Sequence, residues 1–274
     1  MPTQPRGQGR AAAFFDLDRT LIAGATAYHF GRAAYKAGVI SRRQLMRDGF
    51  AHVRFRLRGS TDEETAALKE RVMDAIRGVR VADLARLAPD ILAGVLPRVY
   101  PQMLEQVYAH QDAGRPAYIV TAASQELSEL LARVLAMDGA IGFRSEVVDG
   151  VYTGKAAGPF TYGEGKAEAM RALAAEQDFD LEASYAYSVS ASDLPMLRAV
   201  GHPVAVNPDG QLEAVASAED WEVMRFERIG PKLVVAGTTA VATLVGGLGT
   251  VLMRRRRGGR GGSTLRAPTL RRRT

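Results

Sequence analysis

The stretch AAAFFDLD, residues 11–18, decides how the chain is read: five uninterrupted apolar residues run into two acids. A parallel strand is covered on both faces and so is apolar throughout, and its polar groups gather where it leaves the sheet. The pattern predicts a buried strand with Asp16 and Asp18 at its carboxyl end. On extended backbone two residues that far apart point to the same side.

Four helical stretches follow. TAYHFGRAAYKAG closes at Gly38, and SRRQLMRDGFAHVRFRLRG runs from Ser41 to Gly59. STDEETAALKERVMDAIRG offers Thr61 and Glu64 as a capping box and Gly78 as a C-cap, and VADLARLAPDILAG reads as one helix ending before Pro97. Residues 24–96 are therefore expected to be a helical insertion.

Beyond it helix and strand alternate. The helix QMLEQVYAHQDAG precedes the strand PAYIVTAAS, and a helix from Gln125 to Met137 leads to the β-rich turn EVVDGVYTGK. A helix from Gly165 to Gln177, the strand SYAYSVS, a helix from Leu194 and the strand PVAVNPD complete the series. Strands separated by such helices form a parallel sheet with right-handed crossovers, and ligands bind at the carboxyl ends of its strands. The fold class is α/β: a Rossmann-like parallel sheet with an inserted helical cap, plus an apolar C-terminal helix. Residues 12–23 and 97–220 are assigned to the core, 24–96 to the cap, and 1–11 to a disordered N-terminus.

Asp16, Asp18, Thr121, Ser190 and Asp193 all fall at those strand ends, so the sheet predicts one site. Paired carboxylates divide the labour of phosphoryl transfer, one as nucleophile and the other as general acid, then base. The reaction also needs cations on the transferred oxygens. Thr121 can donate a hydrogen bond to a phosphoryl oxygen, and Lys166 brings a fixed charge to a helix start after Gly163 and Gly165.

The net charge of +6 resides in the tails. Residues 254–274 carry nine arginines and no acid, and without them and Arg6 and Arg10 there remain 25 basic against 30 acidic residues. The body is mildly acidic, which argues against specific nucleic-acid binding. No cysteine is present, which excludes disulfides and thiolate metal sites, and the four histidines stand at no metal-ligand spacing.

Residues 233–253 hold no charged residue, long enough to span a bilayer, although their glycines and threonines make them only moderately apolar. They are read as an apolar membrane-associated helix, and 254–274 as a disordered arginine-rich tail held at an anionic membrane surface. No other apolar run precedes the first strand, so the body is expected in the cytoplasm, at the inner face of the membrane.

DLDRTL (residues 16–21), Thr121, Lys166 and SVSASDLPML (residues 188–197) together resemble, in order, the four motifs of the haloacid dehalogenase superfamily. The insertion after the first motif, with YGEGKAEAM and GHPVAVNPD, is similar to the phosphoserine-phosphatase-like subfamily IB. The resemblance covers residues 12 to about 215. It implies a Mg2+-dependent phosphomonoesterase acting on a small phosphorylated metabolite through an aspartyl-phosphate, and it leaves oligomeric state open. Asp16 would be the nucleophile and Asp18 the acid/base, with Lys166 as the third catalytic group. The metal would take Asp16, Asp18 through its backbone carbonyl, and an acid of the fourth motif, where Asp193 is the one present. Thr20, Thr121 and Ala122 fall in the substrate-binding set, and Arg54 and Arg56 could meet a carboxylate or second phosphate.

The fourth motif departs from the family pattern, roughly (G/S)-D-S-x-x-D, at its first acid. Here the run is Ser188-Val189-Ser190-Ala191-Ser192-Asp193, with valine at the direct metal-ligand position. That substitution admits two readings: a hydrolase with a weakened metal site, or an impaired pseudoenzyme serving as a membrane-tethered phosphate-binding module. Phosphoserine phosphatases also place a glutamate nine residues after the nucleophile, where this chain has Ala25.

Overall fold

In the computed structural model, which describes residues 9–38, 70 and 73–226, the run at 11–18 lies within a six-stranded sheet. The strands are β1 (Ala13–Asp16), β2 (Ala117–Ser124), β3 (Gly139–Phe143), β4 (Ser145–Val148), β5 (Val151–Ala156), β6 (Tyr185–Ser188), β7 (His202–Val206) and β8 (Glu222–Met224). The sheet has the order β3-β2-β1-β6-β7-β8, and every pairing in it is parallel. Strands β4 and β5 form a separate antiparallel hairpin. The helices are α1 (Thr26–Lys36), α2 (Val81–Ala85), α3 (Ala88–Val95), α4 (Pro101–Asp112), α5 (Gln125–Val134), α6 (Glu164–Gln177), α7 (Leu194–Leu197) and α8 (Gly210–Ala218).

Alternation along the strands divides the core into two layers. Ala13, Phe15, Ile119 and Tyr187 join one apolar cluster with α4, while Phe14, Val120 and Ala186 join another with Met170 and Ala174 of α6. Asp16 shares the parity of Phe14, and Ser188 that of Ala186, so both side chains belong to the α6 face. Phe15 pairs with Ile119 and Tyr187, which brings the ends of β1 and β6 level, one residue short of Thr121 on β2.

The described helices of the 24–96 stretch do not make a separate apolar body. Ala33 and Ala34 of α1 and Ile91 and Val95 of α3 are buried in the same cluster as Phe15, Leu17, Leu21 and Ile22. Backbone bonds from Ala23 to Arg98 and from Tyr100 to Leu21 join the two ends of the stretch.

Several boundaries differ from the sequence expectation. VADLARLAPDILAG is two helices, α2 and α3, because Pro89 cannot donate to the carbonyl one turn back and instead sits in the first turn of α3. The helix from Gln125 stops at Val134, with Ala136 at φ +54, and the chain enters β3, a strand the pattern did not suggest. The strand expected over 184–190 spans only Tyr185–Ser188, and a 3₁₀ turn over Ala191–Asp193 separates it from α7. Helix α8 and edge strand β8 were also unforeseen.

Residues 1–8, the stretch 41–59 with Arg54 and Arg56, the Thr61–Glu64 box, the apolar segment 233–253 and the tail 254–274 lie outside the described residues. Among the described residues no helix is long and apolar enough to cross a membrane.

Behind β1 the His110 ring is buried against Phe15 and Tyr185. Arg115 Nε donates to its Nδ1 at 2.8 Å, so Nε2 carries the proton and donates to Tyr187 Oη at 2.7 Å. Burial, then the Arg115 charge, lowers its pKa to about 4. Above about pH 6.5 the ring is neutral folded or unfolded, and its contribution to stability is complete. Between 6.5 and 4 the unfolded chain takes up a proton that the folded chain refuses, so stability falls as pH falls. His110→Gln is expected to flatten that part of the curve of melting temperature against pH. A variant curve parallel to the parent's from pH 7 to 4.5 would contradict the assignment.

Candidate active site

Asp16 is the last residue of β1, and the chain leaves the sheet immediately after it. Leu17 accepts backbone bonds from both Leu21 and Ile22, closing a tight loop. Within that loop Arg19 adopts φ +66, uncommon for a side chain with a Cβ and a frequent mark of functional loops. Asp18 is thus on the turn that follows the strand, bridged to Ile22. Its Oδ1 accepts from Thr26 N at 2.8 Å, so an acid from the loop satisfies the first amide of α1.

Lys166 sits in the first turn of α6 and is 3 % exposed. Its Nζ donates to Asp16 Oδ1 at 2.6 Å and to Asp193 Oδ2 at 2.9 Å. The approach depends on the preceding glycines. Gly163 has φ +55, and a Cβ on Gly165 would stand 2.0 Å from the Phe160 carbonyl oxygen, so a side chain there would displace the helix start that carries the lysine. Gly165→Ala is expected to cost at least ~1 kcal/mol and to lower activity, by the strain and the displacement together. Urea denaturation and turnover on one preparation check both, and unchanged values would show that the loop yields freely.

Burial pushes the Asp16 carboxyl up to about 6 against the opposing pull of Lys166, with Asp193 adding to the rise. For Lys166, burial works to lower the pKa, but the paired carboxylates Asp16 and Asp193 win and hold it above the usual lysine range. The ammonium is therefore a permanent cation between two buried acids.

The remaining candidates fall around this centre. Thr121 is buried in β2, and its Oγ1 accepts from Ala123 N at 3.2 Å, leaving its proton available for another acceptor. Ala122 follows it, half-buried. Thr20, expected to touch substrate, is instead wholly buried and donates to Asp16 Oδ2 at 2.9 Å. It orients the carboxylate. Ser190 points to its own turn, in contact with Ser192 Oγ at 3.0 Å and accepting from Ser192 N.

Two positioning residues escaped the sequence reading. Ser188 Oγ donates to Asp193 Oδ2 at 2.7 Å, and Thr161 Oγ1 donates to the Thr121 carbonyl at 2.7 Å. The parity of Ser188 with Ala186 could have revealed the first. Thr161 lies in an irregular loop and carried no signal.

The donor set falls short of the magnesium site that the sequence implied. Both oxygens of Asp16 and Oδ2 of Asp193 already accept from internal donors, and Val189 is a buried aliphatic side chain, 3 % exposed. Among the described residues no three acids or histidines are grouped to hold a metal ion.

What the arrangement offers is an acid on a loop, a carboxylate held by a lysine and a threonine hydroxyl, and a second hydroxyl on the neighbouring strand. Comparison with known proteins points the same way. The haloacid dehalogenase-like hydrolase family profile matches residues 13–198. A phosphoserine phosphatase of Mycobacterium tuberculosis is 35% identical over 256 residues, covering 92% of this chain and 83% of its own. The inhibition of morphological differentiation protein of Streptomyces azureus is 36% identical over 221 residues, covering 80% and 79%. The crystal structure of a protein of unknown function from Bordetella pertussis superposes with a TM-score of 0.70 at 27% identity, covering 79% of this chain and 99% of that one.

Proposed function

The chain belongs to the haloacid dehalogenase-like hydrolases, and from that premise we propose that it hydrolyses small phosphomonoesters with Asp16 as the nucleophile. The observation that carries this reading is the buried bridge from Asp16 through Lys166 to Asp193, which joins the end of β1, the first turn of α6 and the turn after β6.

An oxygen of Asp16 attacks phosphorus as the ester P–O bond breaks, and Asp18 gives its proton to the leaving alkoxide. Asp18 then takes a proton from water, whose oxygen attacks the aspartyl-phosphate. The acyl phosphate's P–O bond breaks, inorganic phosphate leaves and the Asp16 carboxylate is restored. Lys166 offsets charge on the transferred oxygens, and Thr121 Oγ1 donates to one of them. Thr20 and Ser188 keep the two flanking carboxylates aimed. Asp193 holds the ammonium in place.

The relative named phosphoserine phosphatase supports a small phosphorylated metabolite as substrate. Ala25, nine residues beyond Asp16, offers no charge for a substrate amino group, which argues for a different ester. On this reading residues 12–23 and 97–220 form the core and 24–96 the cap, which would select substrate and exclude water. Family membership and the five retained polar groups favour turnover over a non-catalytic phosphate-binding module.

The test is hydrolysis of p-nitrophenyl phosphate by the purified full chain. Turnover well above that of Asp16→Asn is expected. Equal rates for the two proteins would end the proposal.

A further inference from the structure

We infer that this site holds the phosphoryl group without a divalent cation, with Lys166 as its cation and Val189 closing the position a metal's carboxylate would need. The inference rests on the reading of the site as a phosphomonoesterase centre.

Magnesium requires a near-octahedral shell of oxygens and usually takes one or two carboxylates, with waters and phosphate for the rest. On Asp16 each oxygen already accepts one hydrogen bond, Oδ1 from an ammonium at 2.6 Å and Oδ2 from Thr20 at 2.9 Å. A dication brought to this carboxylate would stand beside a buried positive charge, where repulsion is little screened. Asp193 is committed twice through Oδ2, to Lys166 and to Ser188. Asp18 was expected to serve through its backbone carbonyl, a neutral ligand that does not replace the missing acid.

The fourth position cannot be filled by local adjustment. Val189 is buried just beyond the end of β6 and belongs to neither apolar cluster. Its backbone is fixed by the bond from Asp209 N to its carbonyl at 3.1 Å. The adjacent hydroxyl, Ser190 Oγ, is already turned to Ser192. With valine in place of an acid, the ammonium and the two acids it touches carry one net negative charge, where a third acid would make it two. The same valine removes the anionic ligand that would pull a dication in.

Two measurements on the full chain test this. Binding of inorganic phosphate, followed by calorimetry in EDTA and in excess Mg2+, is expected to give dissociation constants within about twofold of each other. Mn2+ binding, read from the free-ion EPR signal, is expected to be at least about tenfold tighter in Val189→Asp than in the parent, since the variant restores an oxygen ligand. Phosphate affinity or aryl-phosphate hydrolysis that rises tenfold when Mg2+ is added to the parent would overturn the inference and leave the phosphatase reading standing. So would Mn2+ affinity that Val189→Asp leaves unchanged. Should that variant not fold, the parent's phosphate measurement decides alone. Absence of both phosphate binding and hydrolysis in either condition would overturn the phosphatase reading, and this inference with it.

Discussion

Asp16→Asn is expected to lower turnover of an aryl phosphate by at least about four orders of magnitude, ~5.5 kcal/mol in the barrier. The amide keeps the shape of the carboxylate, its oxygen can still accept from Lys166 and its NH2 can donate to Thr20 Oγ1, so the loss would report chemistry, not collapse. Rapid acid quenching with a 32P-labelled ester should trap phosphoprotein in the parent and none in the variant. Label retained by Asp16→Asn would move the nucleophile elsewhere.

Lys166→Met is expected to produce the largest loss of stability. The ammonium is 3 % exposed and bonded to two carboxylates that are themselves buried. Removing one partner of such a cluster leaves uncompensated charge in a poor dielectric, at a cost of about 3–5 kcal/mol. Urea denaturation at pH 7 would show this as a lower midpoint at a similar slope. Adding Asp193→Asn to the variant should recover part of the loss, because one of the stranded charges is then gone. A single variant as stable as the parent would mean that Lys166 turns out to solvent and that the bridge is not a structural element.

The sequence showed most of this site because strand ends are chemically conspicuous. Asp16 ends a wholly apolar run, and Lys166 follows two glycines at a helix start. Thr121 and Asp193 also stand where an apolar pattern breaks. The rest depended on three-dimensional placement. Ser188 is one serine among four between 184 and 192, and only the register that sets Tyr187 beside Phe15 aims it at Asp193. Asp18 closes the first turn of α1 across eight residues of loop, a capping bond no local motif announces. Edge strand β8 is three residues long and begins with an acid, too short for alternation to be visible. The split of α2 from α3 was legible in principle, since Pro89 stood in the middle of the stretch read as one helix.

The strand order carries a consequence for how the protein is made. Strand β1 leaves the ribosome long before its neighbour β6, and the bond from Ala12 N to Ser184 Oγ beside that seam closes 172 residues. At ordinary elongation speeds of about 5–20 residues per second, that interval lasts roughly 9–34 s. Throughout it one of the most apolar segments of the chain has an unsatisfied hydrogen-bonding edge, a template for association with other nascent strands. The residues that make Asp16 a buried acid are thus the ones most in need of shielding during synthesis. Chaperone occupancy on translating ribosomes should accordingly begin once β1 emerges and persist until β6 is complete.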